Sequence, residues 1–214
     1  MTKLVLTFSF FILATFCFGQ IEQLETYKKL YTIADSLNKL HKPFSVDSMT
    51  IEKVKSFDKQ HPAKYFEGVS ELIKDSKYND AAFVYYLGLS RYKYYNSANP
   101  DYQASNDGAL ASSFQYVFGE PIDLYLKTNI DNFISVLKFA SDYYLKNDFG
   151  FYSKTKNPIK YEDVVNGLSG LITDLKANRK KYEKEWAKER KEMMANIDKA
   201  INEYNKMTPK QKSK

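Results

Sequence analysis

Apolar residues stand at positions 21, 24, 30, 33, 37 and 40. Three-and-four spacing of this kind lines one face of a helix, and Pro43 ends it. Thr50 is placed to cap a short second helix reaching Phe57. Pro62 suits the first position of a third helix, where a missing N–H costs nothing; that helix runs to about 74 with Phe66, Val69, Leu72 and Ile73 inward. A polar turn at 75–80 leads to an aromatic-rich helix over 81–95. Residues 96–108 read as a loop, with Asp107 capping a helix over 109–118 and Gly119-Glu120-Pro121 breaking it. Asn129 or Thr128 caps a strongly amphipathic helix through Tyr144, carried by Ile130, Phe133, Ile134, Leu137, Phe139 and Ala140. Residues 147–157 form a loop with Gly150 and Pro158 as breakers.

Beyond Tyr161 there is no proline before Met207 and no glycine after Gly170. Leu168, Ile172, Leu175, Tyr182, Trp186, Met193, Ile197, Ile201 and Tyr204 form a stripe close to a heptad seam, with Arg179 occupying one seam position. An unbroken helix over 161–207 would be about 70 Å long; a fold-back near Ala177-Asn178 is the alternative. Cation-first pairs Arg179–Glu183, Lys181–Glu185, Lys188–Glu192 and Lys199–Glu203 stand four apart, each contributing about 0.2–0.5 kcal/mol or less. No stretch joins strict alternation to hairpin turn chemistry. The pattern therefore predicts an all-α, single-domain helical bundle with a long C-terminal helix.

The first nineteen residues stand apart from this pattern. Lys3 precedes an almost wholly apolar run from Leu4 to Phe18, and small residues at 17 and 19 fit a cut before Gln20. That is the layout of a secretory signal peptide, and the run is short for a membrane-spanning helix. An uncleaved anchor is the alternative; lipidation of Cys17 is disfavoured by Phe16 directly before it. The expected organisation is a signal peptide over 1–19, a helical domain over 20–207 and a disordered basic tail over 208–214, in a periplasmic or secreted protein.

Removal of this segment changes the chemistry available. Cys17 is the single cysteine of 214 residues, so the domain would be thiol-free and held by packing alone. Charge is uneven: residues 176–214 hold thirteen Lys/Arg against six Asp/Glu, whereas 20–175 hold eighteen against twenty. The basic patch comprises Arg179, Lys180, Lys181, Lys184, Lys188, Arg190 and Lys191. Such a patch can meet anionic lipid, an acidic polymer or an acidic protein; in an exported protein nucleic acid is the least favoured partner.

Catalytic patterns are sparse. His41 and His61 stand twenty apart, and neither has His, Asp or Glu three or four residues on, as a helical metal site would; both read as surface or helix-end histidines. Gly167-Leu168-Ser169-Gly170 lacks nucleophile-elbow spacing, and no glycine-rich phosphate loop occurs. Glu67 and Glu71 share a helix face, which reads as a solvated pair. These readings point to a non-enzymatic protein without cofactor or metal. The strongest recognition signal is aromatic, with 18 Tyr and 15 Phe. Tyr85, Tyr86, Tyr92, Tyr94 and Tyr95, with Tyr102 and Trp186, form a candidate interaction surface, since tyrosine offers an apolar face and a polar tip; core and boundary packing is the competing account.

Residues 63–97 resemble one helical hairpin of the tetratricopeptide kind. Tyr65 and Leu72 take the large positions of its first helix, 75–81 its turn with Ala81 at the small position, and Tyr85 and Gly88 an aromatic and a small position of its second. Lys93 replaces the expected proline, and no second copy follows 34 residues on, as a repeat array would require. The string over 81–92, with Gly119-Glu120-Pro121-Ile122 and the basic C-terminal helix, is similar to uncharacterised exported bacterial helical proteins. That resemblance implies a helical fold and no activity. The expected function is an exported protein-interaction module with an unidentified protein partner; the alternative is an envelope-associated binder of anionic lipid or acidic polymer through the basic C-terminal helix.

Overall fold

A computed structural model describes residues 23–40, 44–103 and 106–207, with the side chains of 102, 103, 106 and 207 excepted. The expected signal segment, His41 and the tail beyond 207 lie outside the described residues. Within them the chain is all-α: α1 (residues 23–39), α2 (Ser48–Phe57), α3 (Ala63–Lys74), α4 (Tyr78–Ala98), a single turn α5 (Pro100–Gln103), α6 (Asn106–Leu126), α7 (Ile130–Lys146), a 3-10 turn (Lys154–Lys156), α8 (Pro158–Ala177) and α9 (Arg179–Met207).

The bundle is organised around α4, which packs on α3, α6, α7 and α8. It buries residues around most of its circumference, among them Ala81, Phe83, Tyr85, Leu87, Tyr92 and Tyr94, as expected of a helix that is not amphipathic but enclosed. Two glycines set how closely its neighbours approach. A Cβ on Gly88 would lie 2.7 Å from Tyr65 Cβ, and one on Gly68 2.7 Å from the Phe57 ring. The α3–α4 turn is closed by a Schellman arrangement: Lys77 N–H donates to Leu72 C=O (2.9 Å) and Ser76 N–H to Ile73 C=O (3.0 Å). Ser76 takes the left-handed conformation there, with φ 59°.

Several boundaries differ from the pattern-based expectation, each for a local reason. The cap of α2 is Asp47, whose carboxylate accepts from Met49 N–H; Thr50 is buried inside the helix. Helix α4 begins at Tyr78, inside the expected turn, because Tyr78 packs on Tyr125 with ring centroids 5.2 Å apart. Helix α6 begins at Asn106, so Asp107 lies in its first turn, and it runs through Gly119-Glu120-Pro121 without breaking. Pro121 has no N–H to return to Val117, an exposed residue, while Ile122, Tyr125 and Leu126 beyond it are buried and Gly119 sits under the Tyr85 hydroxyl. Burial on both sides of the proline outweighs one missing bond. Pro158 opens α8 rather than breaking the chain, with Asn157 capping it. Asn129 caps α7, accepting from Asn132 N–H at 3.0 Å.

The core also encloses charge. Arg91, on α4, is fully buried and pairs with Asp58 at the end of α2. The sequence pattern gives no hint of this pair, which is taken up below.

Candidate functional site

Two sizeable hollows of the described surface lie along α9. The chain bends once, at Asn178 (φ −104°, ψ 16°). Helical bonds flank the bend, from Asn178 N–H to Asp174 C=O and from Tyr182 N–H to Asn178 C=O, so the axis kinks without reversing. The unbroken rod and the fold-back both give way to two helices in series.

Long side chains hold α9 to the body. Arg179 forks onto Asp131 in the first turn of α7; this hydrogen bond raises Arg179 and lowers Asp131 from their ordinary pKa values. Trp186 stacks on Tyr182 (5.1 Å) and lies 6.2 Å from Phe133 of α7. Arg190 pairs with Asp35 of α1 at 2.5 Å, its guanidinium 4.9 Å from the Tyr31 ring centroid. Lys28 reaches Asp198 at 2.5 Å, and Ile197 is buried. The predicted seam thus faces inward, although most of it is only half-buried.

Standing off on these posts, α9 leaves two hollows separated by Trp186 and Arg190. One, of about 510 Å³, opens between Glu183, Ala187, Lys191 and Met194 and the segment joining α6 to the start of α7. The other, of about 460 Å³, lies between α1, α6 and α9; Tyr31, Leu124, Trp186 and Met193 wall it, and Glu120, Asp123, Lys127, Glu189 and Arg190 supply its charge. Burial pushes the Asp123 carboxyl above its usual range, against Lys127 and the Tyr86 hydroxyl, which donates to it at 3.3 Å.

The outer face of α9 is different. Lys180, Lys184, Lys188 and Lys191 fall at i, i+4, i+8 and i+11 and are all exposed. They form a line about 16 Å long. Exposed Lys181 borders it, while Glu183, Glu185 and Glu192 lie on the flanks of the helix and Glu189 turns inward toward Lys127. Of the four expected i,i+4 pairs, Arg179–Glu183 (3.5 Å) and Lys188–Glu192 (3.8 Å) form. The basic patch therefore divides: Arg179 and Arg190 are structural posts, and the five lysines face water.

Three of the tyrosines expected on a surface lie in the core instead. Tyr85, Tyr92 and Tyr94 are buried. Tyr92 donates to Asp107 (2.6 Å) and Tyr94 to Ser153 C=O (2.8 Å). Tyr86 is half-buried against Phe133, and Tyr95 is half-buried within 5.6 Å of His61, Phe151 and Tyr152. The side chain of Tyr102 lies outside the described residues. In an enclosed α4, tyrosine is a core residue whose hydroxyl reaches a boundary partner. Of the candidates, Trp186 lines both hollows along α9, while Tyr92 and Tyr86 border smaller ones elsewhere on α4. Comparison with protein-family models, curated proteins and solved structures finds no match.

The remaining candidates for chemistry resolve locally. His61 has a structural place: its Nδ1 accepts from Ala63 N–H at 3.3 Å, its Nε2 lies 3.2 Å from Asp107, and Tyr92, Tyr95 and Phe151 stand edge-on around it at 5.5–5.6 Å. It ties the start of α3 to the start of α6. Glu67 and Glu71 are exposed, paired with Lys64 and Lys53. Among the described residues no group of three or more His, Cys, Asp or Glu could hold a metal, and no described helix is long and apolar enough to cross a membrane. The sequence reading missed Glu120 and Asp123. They straddle Pro121, and taking that segment as a break hid the fact that they share one helix face, three residues apart.

Proposed function

We propose that this chain is an exported protein-interaction module, not an enzyme, and that α9 is its contact element. The observation carrying this reading is the way α9 is mounted. It rests on the bundle through arginine and aromatic side chains, its seam only half-buried, with hollows on either side of Trp186. Recognition elements are commonly of this kind, an aromatic anchor beside a receptive hollow within a polar rim. The apolar start of the sequence supports export.

The test is recovery of partners from an envelope fraction by wild type and by Trp186→Ala, with equal folding verified by circular dichroism. A partner lost with the variant supports the reading, and identical recovery contradicts it.

The lysine line supports a second reading, attachment to an anionic bilayer. Its acids lie on the flanks of α9 rather than within the line. Polybasic contacts contribute about 1 kcal/mol per lysine near an anionic surface and fade as salt screens them. Flotation with phosphatidylglycerol-containing vesicles at low salt, lost at high salt and lost in Lys184→Glu/Lys188→Glu, is the expected result; no flotation at low salt removes this reading.

A further inference from the structure

We propose that the hollow between α1, α6 and α9 binds an organic cation: an ammonium or guanidinium group on an apolar stem. The inference rests on the interaction-module reading and names the chemistry that one of its contact points would take.

The argument begins with charge. Five charged side chains line the hollow, and two of its acid–base relationships are already internal. Arg190 is committed to Asp35 at 2.5 Å, and Lys127 lies 3.8 Å from Glu189. Glu120 and Asp123 remain. Among the described residues neither has a Lys or Arg nitrogen within 4.0 Å. Their partners are hydroxyls: Tyr27 donates to Glu120 at 2.5 Å, and Tyr86 to Asp123 at 3.3 Å. Hydroxyl donors solvate a carboxylate but do not neutralise it. Two carboxylates on one helix face, three residues apart, Asp123 half-buried and Glu120 at the exposed rim, form a site that a cation completes.

The walls set the rest of the ligand. Leu124, Met193, Trp186 and Tyr31 are apolar or aromatic. Aromatic faces attract cations, most strongly when water is excluded. The chain already uses this property beside the hollow, where the Arg190 guanidinium stands 4.9 Å over Tyr31. A small hydrated metal ion would leave these walls unused, and an anion would meet two carboxylates. A stem of several carbons with a cationic head satisfies both features, and about 460 Å³ lies within the range of small-ligand sites. Lys127, in the turn directly after α6 and four residues past Asp123, is the internal competitor; its ammonium is partly exposed and can swing toward water as the ligand enters.

A free alkyl cation and the side chain of a partner's lysine or arginine present the same head group. Two probes separate them: n-hexylammonium chloride, and a neutral capped hexapeptide with one central arginine. Trp186, the one tryptophan of the chain, stands in the cavity wall and reports occupancy through its emission.

The experiment titrates the full chain with each probe and with n-hexanol, the uncharged counterpart. Saturable change of Trp186 emission with at least one cationic probe is expected, at least tenfold weaker with n-hexanol. Asp123→Asn and Glu120→Gln, each checked for an unchanged circular dichroism spectrum, should each weaken the cation at least tenfold while leaving n-hexanol unaffected. Response to hexylammonium alone assigns a free small ligand, and response to the peptide alone assigns a partner side chain. The inference is overturned if neither cation saturates, if n-hexanol binds as tightly, or if both variants bind like wild type. Any of those results leaves partner recovery through α9 untouched, since Trp186→Ala reads that separately.

Discussion

Arg91, at the heart of α4, donates from Nε to the Asp58 carboxylate at 2.9 Å with its side chain wholly buried. The pair is fully served. Arg91 also donates to the Tyr161 hydroxyl (3.0 Å) and Asn147 C=O (2.8 Å), while Tyr65 (2.6 Å) and Tyr143 (3.1 Å) donate to Asp58. The guanidinium lies over the rings of Tyr144 and Phe149 at 4.7 and 5.3 Å. One charge pair thereby joins the end of α2 to α3, α4, α7, α8 and the loop after α7. Removing one partner strands the other in a dry core, which costs about 3–5 kcal/mol. Arg91→Met should therefore lower the denaturant midpoint sharply. Arg91→Met/Asp58→Asn should lose less than the sum of the two single changes, by about 1 kcal/mol or more. Strict additivity in urea unfolding would show that the two groups do not act as a unit.

The glycines of α4 and α8 should respond in opposite directions to the same change. A methyl on Gly88 meets Tyr65 Cβ at 2.7 Å, where backbone and side chain are both fixed. Gly88→Ala should destabilise by about 1–3 kcal/mol, the usual cost of overpacking. Gly170 is exposed on α8, and a methyl added there would meet nothing within 4 Å. Gly170→Ala should stabilise by about 0.5–1 kcal/mol through helix propensity. Thermal melting of the two variants beside wild type checks both signs.

Ser76 is the one described non-glycine residue with positive φ. A left-handed residue with a Cβ costs about 1–2 kcal/mol, and glycine returns part of that gain as unfolded-state entropy. Ser76→Gly should raise stability by a few tenths of a kcal/mol to about 1 kcal/mol. A lowered melting temperature would mean that the Ser76 side chain contributes more than its backbone strain costs.

Alkali should unfold this protein through its tyrosines. Burial raises Tyr27, Tyr85 and Tyr125 to about 12 and pushes Tyr65, Tyr86, Tyr143 and Tyr144 higher still. A raised folded-state pKa gives stability that is complete below the unfolded value of about 10 and lost as pH climbs through the folded value. Absorbance at 295 nm should show a minority of tyrosines titrating near pH 10. The rest should ionise together with loss of helix, at about pH 12 or above. Smooth titration of all tyrosines near pH 10 in a folded protein would contradict the enclosed α4.

The helical class was legible because periodicity reports burial on one side, as in α3 and α7, whose inward residues fell where the spacing put them. Where a helix is enclosed, periodicity vanishes. The tyrosines of α4 then resemble a recognition surface, although their hydroxyls end on Asp107 and Ser153 C=O inside the fold. Pro121 misled for a different reason: local propensity at Gly119-Glu120-Pro121 signals a break, and the burial of Ile122 and Leu126 overrides it. That single misreading concealed Glu120 and Asp123. Arg91 was invisible because nothing in the local sequence marks a charge whose partner stands 33 residues away.

The central claim is that α9 carries the contact. Site-specific photocrosslinking in the native compartment tests it most directly, with a benzophenone residue replacing Ala187 beside Trp186, Lys184 on the outer face, or Lys138 on α7 as control. The account predicts a discrete adduct from position 187 or 184 and none from 138. Adducts from 138 alone, or none from either α9 position at full expression, would contradict it.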